Sequence, residues 1–192
     1  WSESRGLGDV YKRQQQSNLY DQLYEIHNLA NLFFTNNLSS KTGLKAKKYL
    51  SERSFDNKII KKFSIGYASD SWDLLYKELN QKFDKEVIEK SGLFSQSKKG
   101  YIDRFRNRII FPFYSPSGKV IGFSGRSLSD KEDVKYLNSP ETPLFQKSKV
   151  FYGSYQTMPE IRKMNYVLLV EGQTDFLRLY EKGFANVLAT SG

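Results

Sequence analysis

The segment Tyr166-Val-Leu-Leu-Val-Glu-Gly-Gln-Thr-Asp175, close to the end of the sequence, decides the fold. Its first five residues, 166–170, form a continuous apolar run that is rich in β-branched and aromatic side chains and too short for an ordinary helix. This run predicts a buried β-strand. Glu171 follows at once, and the next residue is a glycine that allows a tight turn. Thr174 and Asp175 then offer an N-cap and an acidic first turn for a helix.

A second strand is expected soon after this helix. Gly183 is placed to end the helix, and Asn186–Ala189 has the composition of a strand. Strand, helix and strand in this order form a βαβ unit, in which the strands are parallel and the connection is right-handed. Glu171 then lies at the carboxyl end of a parallel strand and Asp175 on the first turn of the crossover helix, where open α/β sheets bind their ligands.

Two carboxylates at such a place suit a hard divalent cation such as Mg²⁺, which prefers oxygen ligands and keeps waters that a phosphate can displace. The competing interpretation is that Asp175 only caps its helix, because acidic side chains are favoured near a helix N-terminus. The ten residues alone leave both interpretations open.

Composition narrows the classes of function. The 192 residues carry a formal net charge of +9, with a pI near 9.5. Such a charge favours a polyanionic partner, and nucleic acid before a membrane, because no basic amphipathic helix stands out. The absence of cysteine excludes disulfides and Cys-ligated zinc, and a single histidine disfavours a Ser–His triad or a His-based zinc site. We therefore expect an intracellular, cytoplasmic protein without a membrane partner.

The N-terminal half is expected to be helical. Apolar residues from Leu19 to Phe33 recur at spacings of three and four, which predicts an amphipathic helix. His27 falls off that apolar stripe, so we expect it to be a solvated surface residue. Further short elements are expected at these places: helices over 44–53, 57–63 and 85–91, a turn or short strand over 65–68, and a helix capped by Asp70-Ser71 with Trp72, Leu75 and Leu79 on one face.

The first residues differ from the rest. Asp9-Val-Tyr-Lys-Arg-Gln14 resembles a translated adapter of sequencing libraries, so residues 1–16 are expected to be an artefactual or disordered tail.

The middle of the sequence is basic and rich in β-formers. Arg108–Tyr114 and Lys119–Phe123 flank a turn with Pro and Gly, which predicts a hairpin, and Pro112 indicates an edge strand or a bulge. Residues 98–150 hold eleven Lys and Arg against five Asp and Glu, interleaved with aromatic residues. Cations that follow phosphates and rings that stack on bases suit single-stranded nucleic acid. The alternative is that the aromatic residues of the hairpin only form its core.

Two features of this region point to binding. Arg104, Arg106 and Arg108 alternate, so in an extended segment they are expected to project from one face and concentrate positive potential there. The segment Lys135–Thr142 has the composition of a loop, and loops preferentially carry binding groups. An ordinary turn at Asn138-Ser-Pro140 is the competing interpretation.

Taken together, five segments resemble the RNA polymerase core of bacterial DNA primase of the DnaG type: Arg104–Pro112, Gly122–Arg126, Lys135–Thr142, Phe145–Lys147 and Leu169–Asp175. The resemblance runs from about Leu19 to Gly192. It implies an α+β fold, with a helical and β-hairpin basic subdomain over 17–164 and the first βαβ unit of an α/β Toprim domain over 165–192, truncated at both ends.

The resemblance also implies roles for residues. Glu171 corresponds to the catalytic, metal-binding glutamate of the Toprim domain and Asp175 to the acid on the following helix. The positions expected to face template and incoming nucleotide are Arg104, Arg106, Arg108, Arg126, Lys135, Tyr136, Asn138 and Lys147. Ser54 stands where the family usually has a glycine, and Gln173-Thr174 replaces a common Tyr-Met pair. The Asp-x-Asp strand that completes the metal site is expected beyond Gly192.

The activity implied by the resemblance is that of a DNA-directed RNA polymerase, a nucleotidyltransferase dependent on Mg²⁺ or Mn²⁺. Such an enzyme makes short RNA primers on a single-stranded DNA template from ribonucleoside triphosphates, in the bacterial cytoplasm. A replicative helicase and a zinc ion would bind through regions outside this sequence, and this segment alone is expected to be inactive. Another Toprim enzyme, a nuclease or topoisomerase, and a non-catalytic single-stranded DNA-binding module remain as alternatives.

Overall fold

The computed structural model describes residues 3–129 and 134–191, with side chains from Gln14 onward. Its helices are α1 (Glu3–Ser39), α2 (Leu44–Glu52), α3 (Asn57–Lys62), α4 (Leu74–Leu79), α5 (Lys85–Lys90), α6 (Ser154–Met164) and α7 (Gln173–Glu181), with short 3-10 turns at Lys41–Gly43 and Lys147–Lys149. Its strands are β1 (Gly66–Ala68), β2 (Phe94–Ser97), β3 (Gly100–Asp103), β4 (Arg108–Tyr114), β5 (Val120–Ser127), β6 (Tyr136–Asn138), β7 (Leu168–Val170) and β8 (Val187–Ala189). The expected α+β class is confirmed.

The long helix α1 buries a wider face than its apolar stripe predicts. Leu23, Ile26 and Ala30 are buried as expected, but so is His27. The prediction of a solvated histidine was wrong, because α1 lies against β5 and the imidazole stacks on Phe123, with ring centres 6.0 Å apart. Its Nδ1 lies 2.7 Å from the carbonyl oxygen of Leu23, and burial lowers the pKa of His27 to about 4.

The segment set aside as a tail enters the same helix. The backbone is helical from Glu3 onward without a break, which contradicts a disordered tail over residues 3–16. An artefactual origin of this segment stays a prediction, and Trp1 and Ser2 lie outside the described residues.

The central sheet is antiparallel, with strand order β1-β4-β5-β6. The predicted hairpin is β4 and β5, and β5 continues beyond the predicted end to Ser127. Pro112 pairs with Phe123, while β1 pairs only as far as Ile110. Among the described residues, no strand therefore pairs with the proline on the side away from β5. A register shift follows at Phe113 and Tyr114. Of the two features predicted from the proline, the bulge is present, whereas the edge strand is not, because β4 lies between β1 and β5 in the sheet.

The start of α4 differs from the prediction. The helix begins at Leu74 instead of after Asp70-Ser71, and its first free amides donate to the Asp103 carboxylate, at 2.8 Å from Leu75 and 2.9 Å from Tyr76. A carboxylate 28 residues away in sequence supplies the cap. Trp72 lies outside the helix and is 65% exposed, not buried as expected.

In the C-terminal βαβ unit the two strands pair in parallel as predicted, but the first strand is less buried than predicted. Strands β7 and β8 are parallel neighbours, and α7 connects them. Leu168 and Val170 pack on the core, whereas Leu169 is 58% exposed and Tyr166 lies exposed before the strand. The reason is that α7 supplies buried residues to one side of this two-stranded sheet, and among residues 3–129 and 134–191 none buries the other side.

One core joins this unit to the rest of the chain. The Phe63 ring meets Phe176 edge to face at 5.2 Å, and the backbone groups of Tyr152 and Ala189 exchange hydrogen bonds of 2.9 and 3.2 Å. These contacts fix the end of β8 against the central part of the chain. The domain boundary at 164/165 stays a prediction. No helix in the described part of the chain has the length and apolar character needed to cross a membrane.

Candidate active site

A cavity of about 420 Å³ lies where the β7–α7 connection meets the central sheet and the end of α2. Its charged and aromatic lining consists of Arg53, Arg126, Lys135, Tyr136, Glu171 and Asp175. The structure therefore brings five of the ten residues singled out from the sequence to one place, although they come from three separate parts of the chain.

The acidic side of the cavity is formed by the β7–α7 connection. Glu171 follows β7, and α7 begins at Gln173 with Gly172 as its N-cap, not with Thr174 as predicted. Gly172 has an extended backbone, with φ −114°, so no tight turn is needed there. Thr174 is buried, and its hydroxyl lies 3.3 Å from that of Tyr136. Glu171 and Asp175 are both exposed, and neither forms an ion pair with a described residue.

Glu171 and Asp175 could supply some, but not all, of the ligands of a magnesium ion. No group of three or more His, Cys, Asp or Glu side chains able to hold a metal exists among the described residues. Mg²⁺, however, is commonly held by one or two carboxylates, with waters and substrate phosphates as its other ligands. Two acids beside basic side chains match that chemistry, whereas they do not match a dedicated all-protein cage.

The basic side of the cavity centres on Arg126 of β5. Its side chain is buried, with the guanidinium carbon 4.4 Å from the centre of the Tyr49 ring and 5.9 Å from that of Tyr136. Arg53, at the end of α2, lies 4.9 Å from the same Tyr49 ring. Burial raises the pKa of Tyr49, and the nearby charges of Arg126 and Arg53 oppose that rise.

The segment predicted to be a binding loop begins as a strand. Tyr136–Asn138 is β6, paired with Ser124–Arg126, and only the residues after it form a loop. The cause is that β5 extends beyond its predicted end and offers a free edge. Asn138 donates from Nδ2 to the carbonyl oxygen of Ser191 at 2.8 Å, which ties β6 to the chain after β8. Asn138 thus supports one wall of the cavity.

The three alternating arginines do not share one face, contrary to prediction. Arg104 donates to the Asn138 carbonyl oxygen at 2.9 and 3.2 Å, and Arg106 stacks on the exposed Trp72 at 4.4 Å. Arg108 is buried and donates to backbone carbonyl groups, among them that of Gly125 at 3.1 Å. Between Arg106 and Arg108, Asn107 has φ +48°, which breaks the extended alternation on which the prediction rested.

Lys147 is also outside the cavity lining. It is exposed in the 3-10 turn after β6, where its backbone N–H donates to the Glu141 carboxylate at 3.0 Å.

Comparison with known proteins identifies the family. The profile of the family described as "DNA primase catalytic core, N-terminal domain" matches residues 33–158. The chain belongs to this family.

Relatives of this primase-family chain are similar over most of its length. It is 39% identical to the DNA primase of Lactococcus lactis over 183 residues, which cover 94% of this chain and 29% of the relative. The DNA primase of Synechocystis is 39% identical over 93% of this chain and 29% of its own length. The chain thus spans about three-tenths of the length of these curated relatives.

Solved primase structures share the fold. The RNA polymerase domain of Mycobacterium tuberculosis primase DnaG matches with a TM-score of 0.85 and 35% identity, over 90% of this chain and 57% of that one. The Escherichia coli primase catalytic core matches with a TM-score of 0.82 and 33% identity, over 88% and 55%. A DnaG primase catalytic domain bound to single-stranded DNA matches with a TM-score of 0.83 and 32% identity, over 92% and 55%.

Sequence reasoning did not single out Arg53 as a site residue in this primase-family chain. Its side chain reaches the cavity because α2 ends at Glu52 and the chain then turns through Ser54, which has φ +61°. The sequence offered one signal for Arg53: it directly precedes Ser54, which stands where the family usually has a glycine, at the end of a predicted helix. The contribution of Tyr49 had no local signal, because it depends on the side chain of Arg126, which reaches the Tyr49 ring from β5.

Proposed function

We propose that the protein containing this chain is a DNA primase, which makes short RNA primers on a single-stranded DNA template from ribonucleoside triphosphates. The observation that supports this most is the cavity that unites Glu171 and Asp175, two carboxylates with no ion pair to a described residue, with three cations, Arg53, Arg126 and Lys135. Nucleotidyl transfer needs both signs of charge at one place, because a metal ion and a triphosphate must be held together.

In this proposal the acidic side chains bind the metal ion and the basic side chains bind the nucleotide. Glu171 and Asp175 would hold Mg²⁺ or Mn²⁺, which when bound offsets negative charge on the phosphates and favours ionisation of the attacking hydroxyl. Arg53, Arg126 and Lys135 bind the triphosphate and orient it for in-line attack of the primer 3′-hydroxyl on the α-phosphate. Their positive charge also stabilises the pyrophosphate that leaves.

The template would use a second surface. Trp72 is exposed, Arg106 stacks on it, and Lys98, Lys99 and Tyr101 line the shallow pocket beside it. An exposed ring among cations suits single-stranded DNA, because bases stack on the ring while the cations contact phosphates. We therefore place Arg106 with the template, whereas Arg104 and Arg108 support the site through their backbone contacts.

The other partners belong to the same proposal. A replicative helicase, a zinc ion in another domain and a place in the bacterial replisome fit a primase of the relatives' full length. The family match over 33–158 lies before the Glu171 strand, which favours a primase over another Toprim enzyme that would share only that strand.

The test is primer synthesis by the full-length protein. Glu171→Gln removes a metal-binding charge at nearly constant shape, so template-dependent RNA synthesis should fall at least about 100-fold, while affinity for single-stranded DNA stays within about twofold. The matched control is Glu78→Gln, which alters an exposed acid of α4 that pairs with Lys82 beyond the end of the helix. Full activity of Glu171→Gln would refute the proposed role, and equal losses in both variants would point to a general effect of charge.

The basic residues give a second test. Arg126→Ala and Lys147→Ala should weaken nucleotide or template binding, and removal of each interaction with a phosphate should lower the slope of log affinity against log salt by roughly one unit. Since only Arg126 lines the cavity, we expect it to change nucleotide affinity more than Lys147 does. An unchanged salt slope in both variants would count against binding of phosphate by these residues.

A further inference from the structure

Tyr49 carries two guanidinium groups on one ring. Arg53, directly after the last residue of α2, lies 4.9 Å from the ring centre, and Arg126 of β5 lies 4.4 Å from it. The two arginines approach from different elements, and both line the cavity that holds Glu171 and Asp175. Tyr49 itself is half-buried and is not among the residues that line the cavity.

No carboxylate of a described residue pairs with either arginine. Within the described part of the chain, neither Arg53 nor Arg126 forms an ion pair, and the Nε of Arg126 is buried without a hydrogen-bond partner. An aromatic face attracts a guanidinium without neutralising it or occupying its N–H donors. The two like charges therefore stay available, in one cavity, for an anion that can accept from both.

A carboxylate in the place of Tyr49 would have the opposite effect. It would bind the forked N–H groups of Arg53 or Arg126 in pairs and compete with any phosphate for them. The ring fixes the direction of the two side chains and leaves their donors unused. This arrangement suits a chain of phosphates better than a single carboxylate, because two forks can engage successive phosphate groups.

We propose that Tyr49 is a positioning residue that holds Arg53 and Arg126 as one paired site for the phosphate chain of the incoming nucleotide. The nucleotide as ligand rests on the proposed function, whereas the paired anion site does not. The ring carries this role and the hydroxyl does not, because the Tyr49 hydroxyl is buried with no hydrogen-bond partner among the described residues.

Inorganic tripolyphosphate is the probe, titrated by calorimetry into the full-length protein. Tyr49→Leu keeps an apolar side chain but removes the ring, so the dissociation constant should rise about 5- to 30-fold, the factor that corresponds to about 1–2 kcal/mol of cation–π attraction. Tyr49→Phe keeps the ring and should restore binding to within about twofold of wild type. The control is Tyr24→Leu, which removes a ring from beneath Lys119 (4.5 Å) outside this cavity and should leave binding unchanged.

Kinetics separate positioning from a structural role. In primer synthesis, Tyr49→Leu should raise KM for nucleotide by the same factor and also lower kcat, because the displaced arginines no longer orient the phosphates, whereas Tyr49→Phe should leave both constants within about twofold of wild type. Wild-type tripolyphosphate affinity in a folded Tyr49→Leu variant would overturn the proposal, as would a Tyr49→Phe variant that binds as weakly as Tyr49→Leu. If the wild-type protein made no primers, the proposed function would fail, but the tripolyphosphate titrations would still decide the role of Tyr49.

A second set of variants covers the case in which Tyr49→Leu does not fold. Arg53→Gln, Arg126→Gln and the double variant measure the coupling of the two arginines in tripolyphosphate binding. One paired site predicts that the double variant loses much less than the product of the two single factors. Losses that multiply would overturn the pairing.

Discussion

Three helices of this chain end in the same backbone turn, and this gives a prediction for Ser54. After α2, the Phe55 N–H donates to the Leu50 carbonyl at 3.0 Å, and the Ser54 N–H donates to that of Ser51 at 2.8 Å. This is the Schellman pattern, whose penultimate residue takes the left-handed conformation that glycine favours. Ser54 has φ +61°, whereas the equivalent residue after α7 is Gly183, with φ +94°.

The size of the effect follows from two opposing contributions. A residue with a Cβ loses about 1–2 kcal/mol in the left-handed region. Glycine loses about 0.5–1 kcal/mol more backbone entropy on folding than other residues do. Ser54→Gly should therefore raise the free energy of unfolding by about 0.5–1 kcal/mol. Ser64, which closes α3 by the same turn at φ +48°, should respond in the same direction.

Urea denaturation followed by circular dichroism measures this change. The midpoint should rise at an unchanged m value, because the surface exposed on unfolding stays the same. The control is Ser51→Gly, three residues earlier on the exposed side of α2, where glycine should lower stability by about 0.5–1 kcal/mol. A Ser54→Gly variant no more stable than wild type, or one that moves in the same direction as Ser51→Gly, would refute the argument from backbone strain.

Three further predictions concern packing and pH. In Gly153→Ala a Cβ at φ +84° would lie 2.2 Å from the Phe176 ring, so thermal melting should show that the free energy of unfolding falls by at least about 2 kcal/mol. The loss should be clearly smaller for Gly100→Ala, where no atom lies within 4 Å of the new Cβ, and equal losses would contradict the prediction. Burial lowers the pKa of His27 to about 4, so on acidification the unfolded chain is protonated before the folded one. The free energy of unfolding should therefore fall by up to about 3 kcal/mol as pH drops from about 6.5 to 4, and the urea midpoint of His27→Gln should not show this dependence on pH. Burial raises the pKa of Asp103 to about 6 despite two backbone N–H donors, so its contribution to the free energy of unfolding should be present below pH 4 and lost as pH rises to about 6. The same dependence of stability on pH in Asp103→Asn would exclude this carboxyl as its source.

Strands and their pairing could be predicted from the sequence where the pattern that specifies them lies within one short segment. The hairpin of β4 and β5 follows from alternating β-formers and a Pro/Gly turn, and the parallel pairing of β7 with β8 follows from strand, helix and strand in sequence. Burial could not be predicted in the same way. His27 lies off the apolar stripe but under β5, and Leu169 lies in an apolar run but on a face that no described residue buries. Burial depends on what packs against an element, which the element's own residues do not specify.

The same distinction explains which arginines reach the site. Arg104, Arg106 and Arg108 alternate most visibly, yet one Asn107 with positive φ sends them to three different environments. Arg53 and Arg126, 73 positions apart, share one tyrosine ring because the side chain of Arg126 extends from β5 to Tyr49 of α2. A run of charges therefore indicates that a region binds an anion, but it does not indicate which charges are free to do so. That depends on whether each guanidinium is engaged by backbone carbonyls, as Arg108 is, or by a ring that leaves its donors available.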